Sequence, residues 1–402
     1  MITTINNEHK KVYVPNLRFP EFEGEWEKCK LGDLCNVLMC KRILASQTNT
    51  EEGVPFYKIG TIGNAPDAYI SKELFDDYKT KYNYPHKGEV MITCAGTVGK
   101  CVIYDGKDAY YQDSNIVWID NPSQCISNSF LYHLLAKVDW RKLNSTTIIR
   151  IYNDDLRNLK LSYPQIEEQQ KISRLLSFLD ERIATQNKII DKLQSLIKGL
   201  NDTLYAQHGD EVMTSFAELG TSYSGLSGKS AQDFGSGKPF ITYLNVYSNN
   251  VINENDFQYV AIKDGEKQNV AEYGDVLFTL SSETPEEVGI GSVYLGKEKV
   301  YLNSFCFGIH ITNAEIAFPP YLSYYVSSTP FRKFVYPYAQ GSTRFNLCKA
   351  EFEKASIKLP SLESQKRIYS ILKSIASKIE TEKKLLGLYY TQKQYLLRQM
   401  FI

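Results

Sequence analysis

Apolar residues recur at alternating three- and four-residue steps over two long stretches of the chain. In the first stretch Ile172, Leu176, Leu179, Ile183, Ile190, Leu193, Ile197, Leu200 and Leu204 form one stripe, interrupted only by Gln186. In the second, Ile368, Leu372, Ile375, Ile379, Leu386, Tyr389, Leu396 and Met400 form another, interrupted by Glu382 and Lys393. A heptad seam sustained over many turns predicts coiled-coil helices rather than short amphipathic ones. Pro164 and Pro360 stand where each helix begins, and Glu167, Glu168 and Glu363 favour the positive end of its dipole. Some forty residues at 1.5 Å each make a rod of roughly 60 Å. We expect the two helices to pair antiparallel, with the Gln186/Glu382 layer fixing their register.

The stretches are copies of one another. They align without a gap from Pro164 and from Pro360, and Glu167/Glu363, Gln169/Gln365, Ile172/Ile368, Leu176/Leu372 and Leu200/Leu396 are identical pairs. A weaker repeat runs through the segments before them. Leu31–Leu34 resembles Phe216–Leu219, Gly53–Ile62 resembles Gly237–Val246, Gly88–Thr93 matches Gly274–Thr279, and Trp140–Leu143 matches Phe331–Phe334. Apolar runs bounded by Gly, Asp and Asn (Val90–Thr93, Val102–Tyr104, Ile116–Ile119, Val276–Leu280) predict strands. Helical patterns follow near Phe130–Ala136 and Tyr321–Val326. The expected fold is therefore mixed α/β (α+β): two similar domains and two long helices, arranged with pseudo-two-fold symmetry. In chain order this gives an N-terminal arm at 1–25, a first domain at 26–160, a helix at 161–206, a second domain at 207–355 and a helix at 356–402.

Composition narrows the class. With 46 basic and 46 acidic residues among 402, any cationic surface must be local. The 29 tyrosines suit an interaction surface, though some are core. None of the eight cysteines forms a CxxC, so they are expected as free thiols in a reducing compartment. The N-terminus lacks the apolar core of a signal peptide and no stretch reaches the ~20 apolar residues of a membrane span, which predicts a soluble, cytoplasmic chain.

Catalytic signatures are missing. There is no GxxxxGK(S/T) loop, no HExxH, no GxSxG and no Asn/Asp-Pro-Pro-aromatic tetrapeptide. Ala95–Gly99 and Ser224–Gly228 read as turns. Pro66-Asp67 followed by Asp77 and Lys79 satisfies a loose metal-nuclease pattern, but it is short and has no counterpart in the second domain. No catalytic residue and no metal site is expected.

Pro15–Trp26 (PNLRFPEFEGEW) with Lys30–Leu34, the openings Pro164–Gln169 and Pro360–Gln365, and Gly341-Ser-Thr-Arg344 together resemble the specificity subunits of type I restriction-modification enzymes. The first half reads Asn144-Ser-Thr-Thr147 where the second has Gly341–Arg344. The resemblance covers essentially the whole chain. It implies two target-recognition domains, each reading one half of a bipartite, asymmetric double-stranded DNA site, with the helices as spacer. It also implies two modification (methyltransferase) subunits holding S-adenosylmethionine and restriction/translocase subunits using ATP and Mg²⁺. The chain itself would be a non-catalytic part of an adenine-N6 methyltransferase and site-specific deoxyribonuclease complex, with no cofactor of its own. Rival readings are a coiled-coil protein-interaction adaptor and a metal-dependent nuclease at Asp67, Asp77 and Lys79.

Polar residues leaving the shared Gly-x-Pro-Phe strand are DNA-contact candidates or solvated loop residues: Lys58 and Thr61, and in the second domain Thr242 and Asn245. Lys41, Arg42, Tyr223 and Lys229, which follow the first strand of each domain, are candidates of the same kind. Thr343 and Arg344 either contact phosphate or cap the second spacer helix. The spacer seam is assigned to Ile172, Leu176, Leu179, Ile183 and Gln186, against Ile368, Leu372, Ile375, Ile379 and Glu382.

Overall fold

The strand Val90–Thr93 is an unbroken apolar run because both of its faces are covered. Val90 and Ile92 enter a core with Phe130, Leu131 and Leu134 of the helix Asn128–Lys137, while Met91 enters another with Phe56, Phe75 and Tyr110. The same alternation recurs in Val276–Thr279, whose Val276 and Phe278 face Tyr321 and Leu322 of the helix Pro319–Tyr325 while Leu277 faces Ile241 and Val246. The computed structural model describes residues 13–113, 115–143 and 150–402, and in it these strands are the centre of two like folds.

The chain divides into two compact units, one of residues 1–186 with 385–402 and one of residues 187–384. In the first, an antiparallel four-stranded sheet runs in the spatial order Asn36–Leu38, Ile116–Asp120, Val90–Thr93, Cys101–Ile103. In the second the order is Gly220–Ser224, Cys306–Ile311, Val276–Thr279, Gly291–Val293. A smaller sheet accompanies each, with one parallel pairing at the equivalent place, Phe56 beside Tyr110 and Phe240 beside Tyr301. The short repeats seen in the sequence are thus shared elements. The second unit adds a three-stranded sheet of Ser281–Ser282, Phe345–Leu347 and Ala339–Gly341.

The long helices are Ile166–His208 and Leu362–Gln399. Each is shared by both units, so the compact units differ from the chain-order segments expected above. Within the first unit, Ile172 and Leu176 share a core with Leu396, Leu397, Met400 and Phe401. Within the second, Ile368 and Leu372 share a core with Leu200 and Leu204. In each unit the head of one helix therefore lies beside the tail of the other, which is antiparallel pairing. Leu179, Ile183 and Ile379 are buried and Ile375 is half-buried; Gln186 and Glu382 are buried as well. Lys393, a polar break in the second stripe, forms an ion pair with Asp180. Lys378 pairs with Glu382 one helical turn on.

The repeated Pro-x-x-x-x-Gln openings bind each domain to its helix. Gln169 Nε2 donates to the carbonyls of Pro164 and Cys125, both at 2.8 Å, and its Oε1 accepts from Ser127 N at 2.8 Å. Gln365 repeats the clamp on Pro360 O, Ile316 O and Phe318 N. Both side chains are fully buried. The segment before Trp26 is fastened to the same place. Arg18 grips the buried carboxylate of Glu168 with two bonds of 2.9 and 2.7 Å, and Trp26 packs against Phe130 and Phe401.

Candidate nucleic-acid interface

The polar stretch after each Gly-x-Pro-Phe strand is largely occupied with its own backbone. Thr61 Oγ1 accepts from Lys58 N at 3.0 Å, closing a turn, and the Lys58 ammonium stands 3.0 Å from Asp67. Lys58 is half-exposed and remains on the surface. In the second unit Thr242 caps the helix Tyr243–Ser248 by accepting from Asn245 N at 3.1 Å. Asn245 is 2% exposed. Its amide donates to Asn253 O, and its Oδ1 accepts from Asn253 N and Asn249 Nδ2. It is therefore not a surface reader of bases: all its polar atoms pin the loop at 249–253.

Two more expected contacts turn inward. Tyr223 is buried, its hydroxyl donating to Asp275 Oδ2 at 2.7 Å and its ring stacked 4.3 Å from that of His310. Asp275 also accepts from Glu272 N and lies 2.9 Å from His310 Nδ1. Burial pushes the Asp275 carboxyl above its ordinary range, against the pull of those bonds, and burial beside Asp275 pushes Tyr223 far up. Lys229 spends its charge on Ala261 O and on Glu266 at 2.6 Å, its side chain only 6% exposed. Both are framework residues, and their polar character misled because sequence does not give side-chain direction.

Lys41 and Arg42 are exposed as expected. The Lys41 ammonium lies 5.4 Å from the centre of the Tyr82 ring. Thr343 and Arg344 are exposed at the tip of the hairpin joining Ala339–Gly341 to Phe345–Leu347. Gly341 has a φ of +145°, and a Cβ there would lie 2.1 Å from Arg344 O, so the turn admits only glycine. The spacer helix begins at Leu362 and is capped by Ser361, whose Oγ accepts from Ser364 N. The capping role considered for Thr343 and Arg344 is therefore corrected: they stand too far upstream. Arg344 instead lies over the ring of exposed Phe305, 5.9 Å from its centre, a neighbour that sequence reading missed. The corresponding Asn144–Thr147 lies outside the described residues.

The nuclease pattern does not assemble. Asp67 pairs with Lys58, Asp77 with Lys81 and Lys79 with Asp108, three separate ion pairs. Among the described residues no group of three His, Cys, Asp or Glu side chains is placed to hold a metal ion. Burial pushes the Cys35, Cys40 and Cys94 thiols up to about 12, which is the state of inert core residues. Among the described residues, no helix is long and apolar enough to cross a membrane.

The profile of the type I restriction modification DNA specificity domain matches twice, at residues 23–195 and 225–387. The chain belongs to that family. A putative type I restriction enzyme specificity subunit of Haemophilus influenzae is 48% identical over 169 residues, 42% of this chain and 43% of that one. A putative type I restriction enzyme specificity subunit of Methanocaldococcus jannaschii is 24% identical over 90% of each chain. Among solved structures, the S subunit of a type I restriction-modification system from M. genitalium superposes with a TM-score of 0.55 at 15% identity, over 97% of this chain and 99% of that one. A chain from a solved type I R-M system gives 0.57 at 16% identity, over 92% and 96%. At such identities these two likenesses concern the fold. Each profile match in this specificity chain runs from a mixed α/β domain into the long helix that follows it.

Proposed function

We propose that this specificity subunit is the DNA-reading, non-catalytic member of a type I restriction-modification complex. Each α/β domain reads one half of a bipartite, asymmetric duplex site, and the paired helices set the gap. The observation that carries this reading is the duplicated architecture: one scaffold occurs twice, while the loops around Lys58 and around Arg344 differ. Lys41, Arg42, Thr343 and Arg344 are the exposed members of the expected contact set, and half-exposed Lys58 is also on the surface. The partners are double-stranded DNA, two modification (methyltransferase) subunits and the restriction/translocase subunits. S-adenosylmethionine belongs to the modification subunits, and ATP and Mg²⁺ to the restriction subunits, so the chemistry of adenine-N6 methylation and of cleavage lies outside this chain. The setting is the cytoplasm.

Mapping methylated adenines in the source genome with and without the gene tests the whole reading. The expected result is loss of one bipartite methylated motif, and an unchanged map would refute it. Deleting one heptad from both long helices should change the permitted gap between half-sites; the same gap would sink the spacer role.

A further inference from the structure

We infer that Gln258 and Leu244 of the second unit read one A·T base pair in the major groove, an inference that rests on the reading above. In each unit the shared Gly-x-Pro-Phe strand runs into a connection that ends on an antiparallel neighbour. In the first unit the connection is residues 58–68, between Val54–Tyr57 and Tyr69–Ile70. In the second it is the longer stretch 242–257, between Phe234–Ile241 and Gln258–Val260. The two differ in chemistry as well as length. The first carries Lys58 and Asp67, which pair at 3.0 Å. The second has no Lys or Arg, is rich in asparagine, and bears the carboxylates of Glu254 and Asp256.

The longer connection and Gln258 line a cavity of about 460 Å³. No lining residue is a cation and Asp256 is an anion, so a phosphate does not suit it. A base edge does. Of the three side-chain amides in its walls, Asn245 is spent on the loop, and Asn249 Nδ2 donates to Asn245 O and Oδ1 at 3.0 and 3.1 Å. Gln258 is exposed, and its amide bonds to no other described residue. Leu244, on the same cavity, is 68% exposed. In the major groove adenine presents an acceptor and a donor side by side, which match the two ends of a glutamine amide, and thymine presents a methyl group that takes an apolar contact. One A·T pair therefore engages both free side chains. A G·C pair lacks the methyl and adenine's paired acceptor and donor.

The test uses the complex purified through a tag on the full chain. Binding is measured to a duplex carrying the methylated motif, to a scrambled duplex, and to a set in which each A·T pair of the motif is replaced in turn by G·C. Gln258→Ala should lose roughly tenfold or more of the discrimination at one A·T pair, in one half of the site only. At that same pair, deoxyuridine in place of thymidine removes only the methyl group. It should weaken wild type roughly fourfold and leave Leu244→Ala indifferent. Equal binding of both variants to the scrambled duplex checks that they fold. Wild-type discrimination at every A·T pair in Gln258→Ala overturns the inference while leaving the specificity reading intact, as does relaxation at a G·C pair instead. Equal loss on cognate and scrambled duplexes with a shallower salt dependence would mean a phosphate contact, and also overturns it. A wild-type complex with no preference among duplexes would fail the specificity reading itself, and the inference with it.

Discussion

Gln169 and Gln365 show how much one buried amide can organise. Each satisfies two carbonyls and one amide nitrogen that helix starts and loops leave without partners. Gln169→Ala should cost about 3 kcal/mol, because it strands several buried polar groups rather than one bond. Denaturant titration with a probe in the first unit checks this, and a midpoint shift equivalent to under about 1 kcal/mol would refute the clamp. His133 makes a different kind of residue-scale claim. It is buried at the junction of the helix Asn128–Lys137 with both spacer helices, where Asp180 and Lys393 act on it in opposite directions. Burial dominates and lowers its pKa from 6.5 to about 4. Between those values the unfolded chain binds a proton that the folded chain does not, so stability is fully present above 6.5 and lost as pH falls toward 4. At about 1.4 kcal/mol per pH step the loss is roughly 2–3 kcal/mol. Glu89 and Asp275, which burial raises, oppose part of it on the acid side. Comparing unfolding at pH 7 and pH 5 in wild type and His133→Phe isolates the histidine, whose removal should flatten the difference. Equal pH dependence in both proteins would count against it.

The elements were more legible than the contacts. Apolar periodicity located both long helices, and apolar runs located the central strands, because these patterns report burial directly. What periodicity does not report is where a polar side chain ends up, so Asn245, Tyr223 and Lys229 read as surface and turned out to be framework. Helix capping by Thr242 and the loop anchored by Asn253 depend on partners several residues away that no composition signal marks. The helix Lys72–Lys81 has no expectation in the sequence because its apolar positions are few. A strand also carries information in what it lacks. In Cys306–Ile311, Gly308 leaves the room that Tyr223 fills: a Cβ there would stand 2.2 Å from Tyr223 Cζ. Gly308→Ala should push the tyrosine off Asp275, costing about 2 kcal/mol or more by overpacking and by the buried bond it breaks. Tyr223→Phe as a partner mutation gives the check. If ring displacement is the cause, the hydroxyl should matter much less in the Gly308→Ala background than in wild type; full additivity would disprove the coupling.

At the scale of the molecule, the second compact unit is one contiguous piece of chain, residues 187–384, and the first is not. The first is completed by residues 385–402, whose Met400 and Phe401 are buried against Trp26 and Phe130. Phe130 and Phe401 stack at 4.9 Å, and Leu17 N donates to Gln399 O, so the tail closes both the core and the N-terminal segment. A chain ending at residue 208 contains the whole first α/β domain and the first long helix, yet it lacks this closure. It should melt at a lower temperature than the first unit does in the full chain, by an amount set by the apolar surface left open around Trp26 and Phe130. Adding a peptide of residues 385–402 should raise the melting temperature of the fragment in a concentration-dependent way, since it binds the folded state alone. The same peptide with Phe401→Ala and Met400→Ala should rescue far less, because those two side chains are the ones that enter the core. A fragment that melts with the full chain's first transition, or that responds equally to both peptides, would mean that the tail adds nothing to the core it touches.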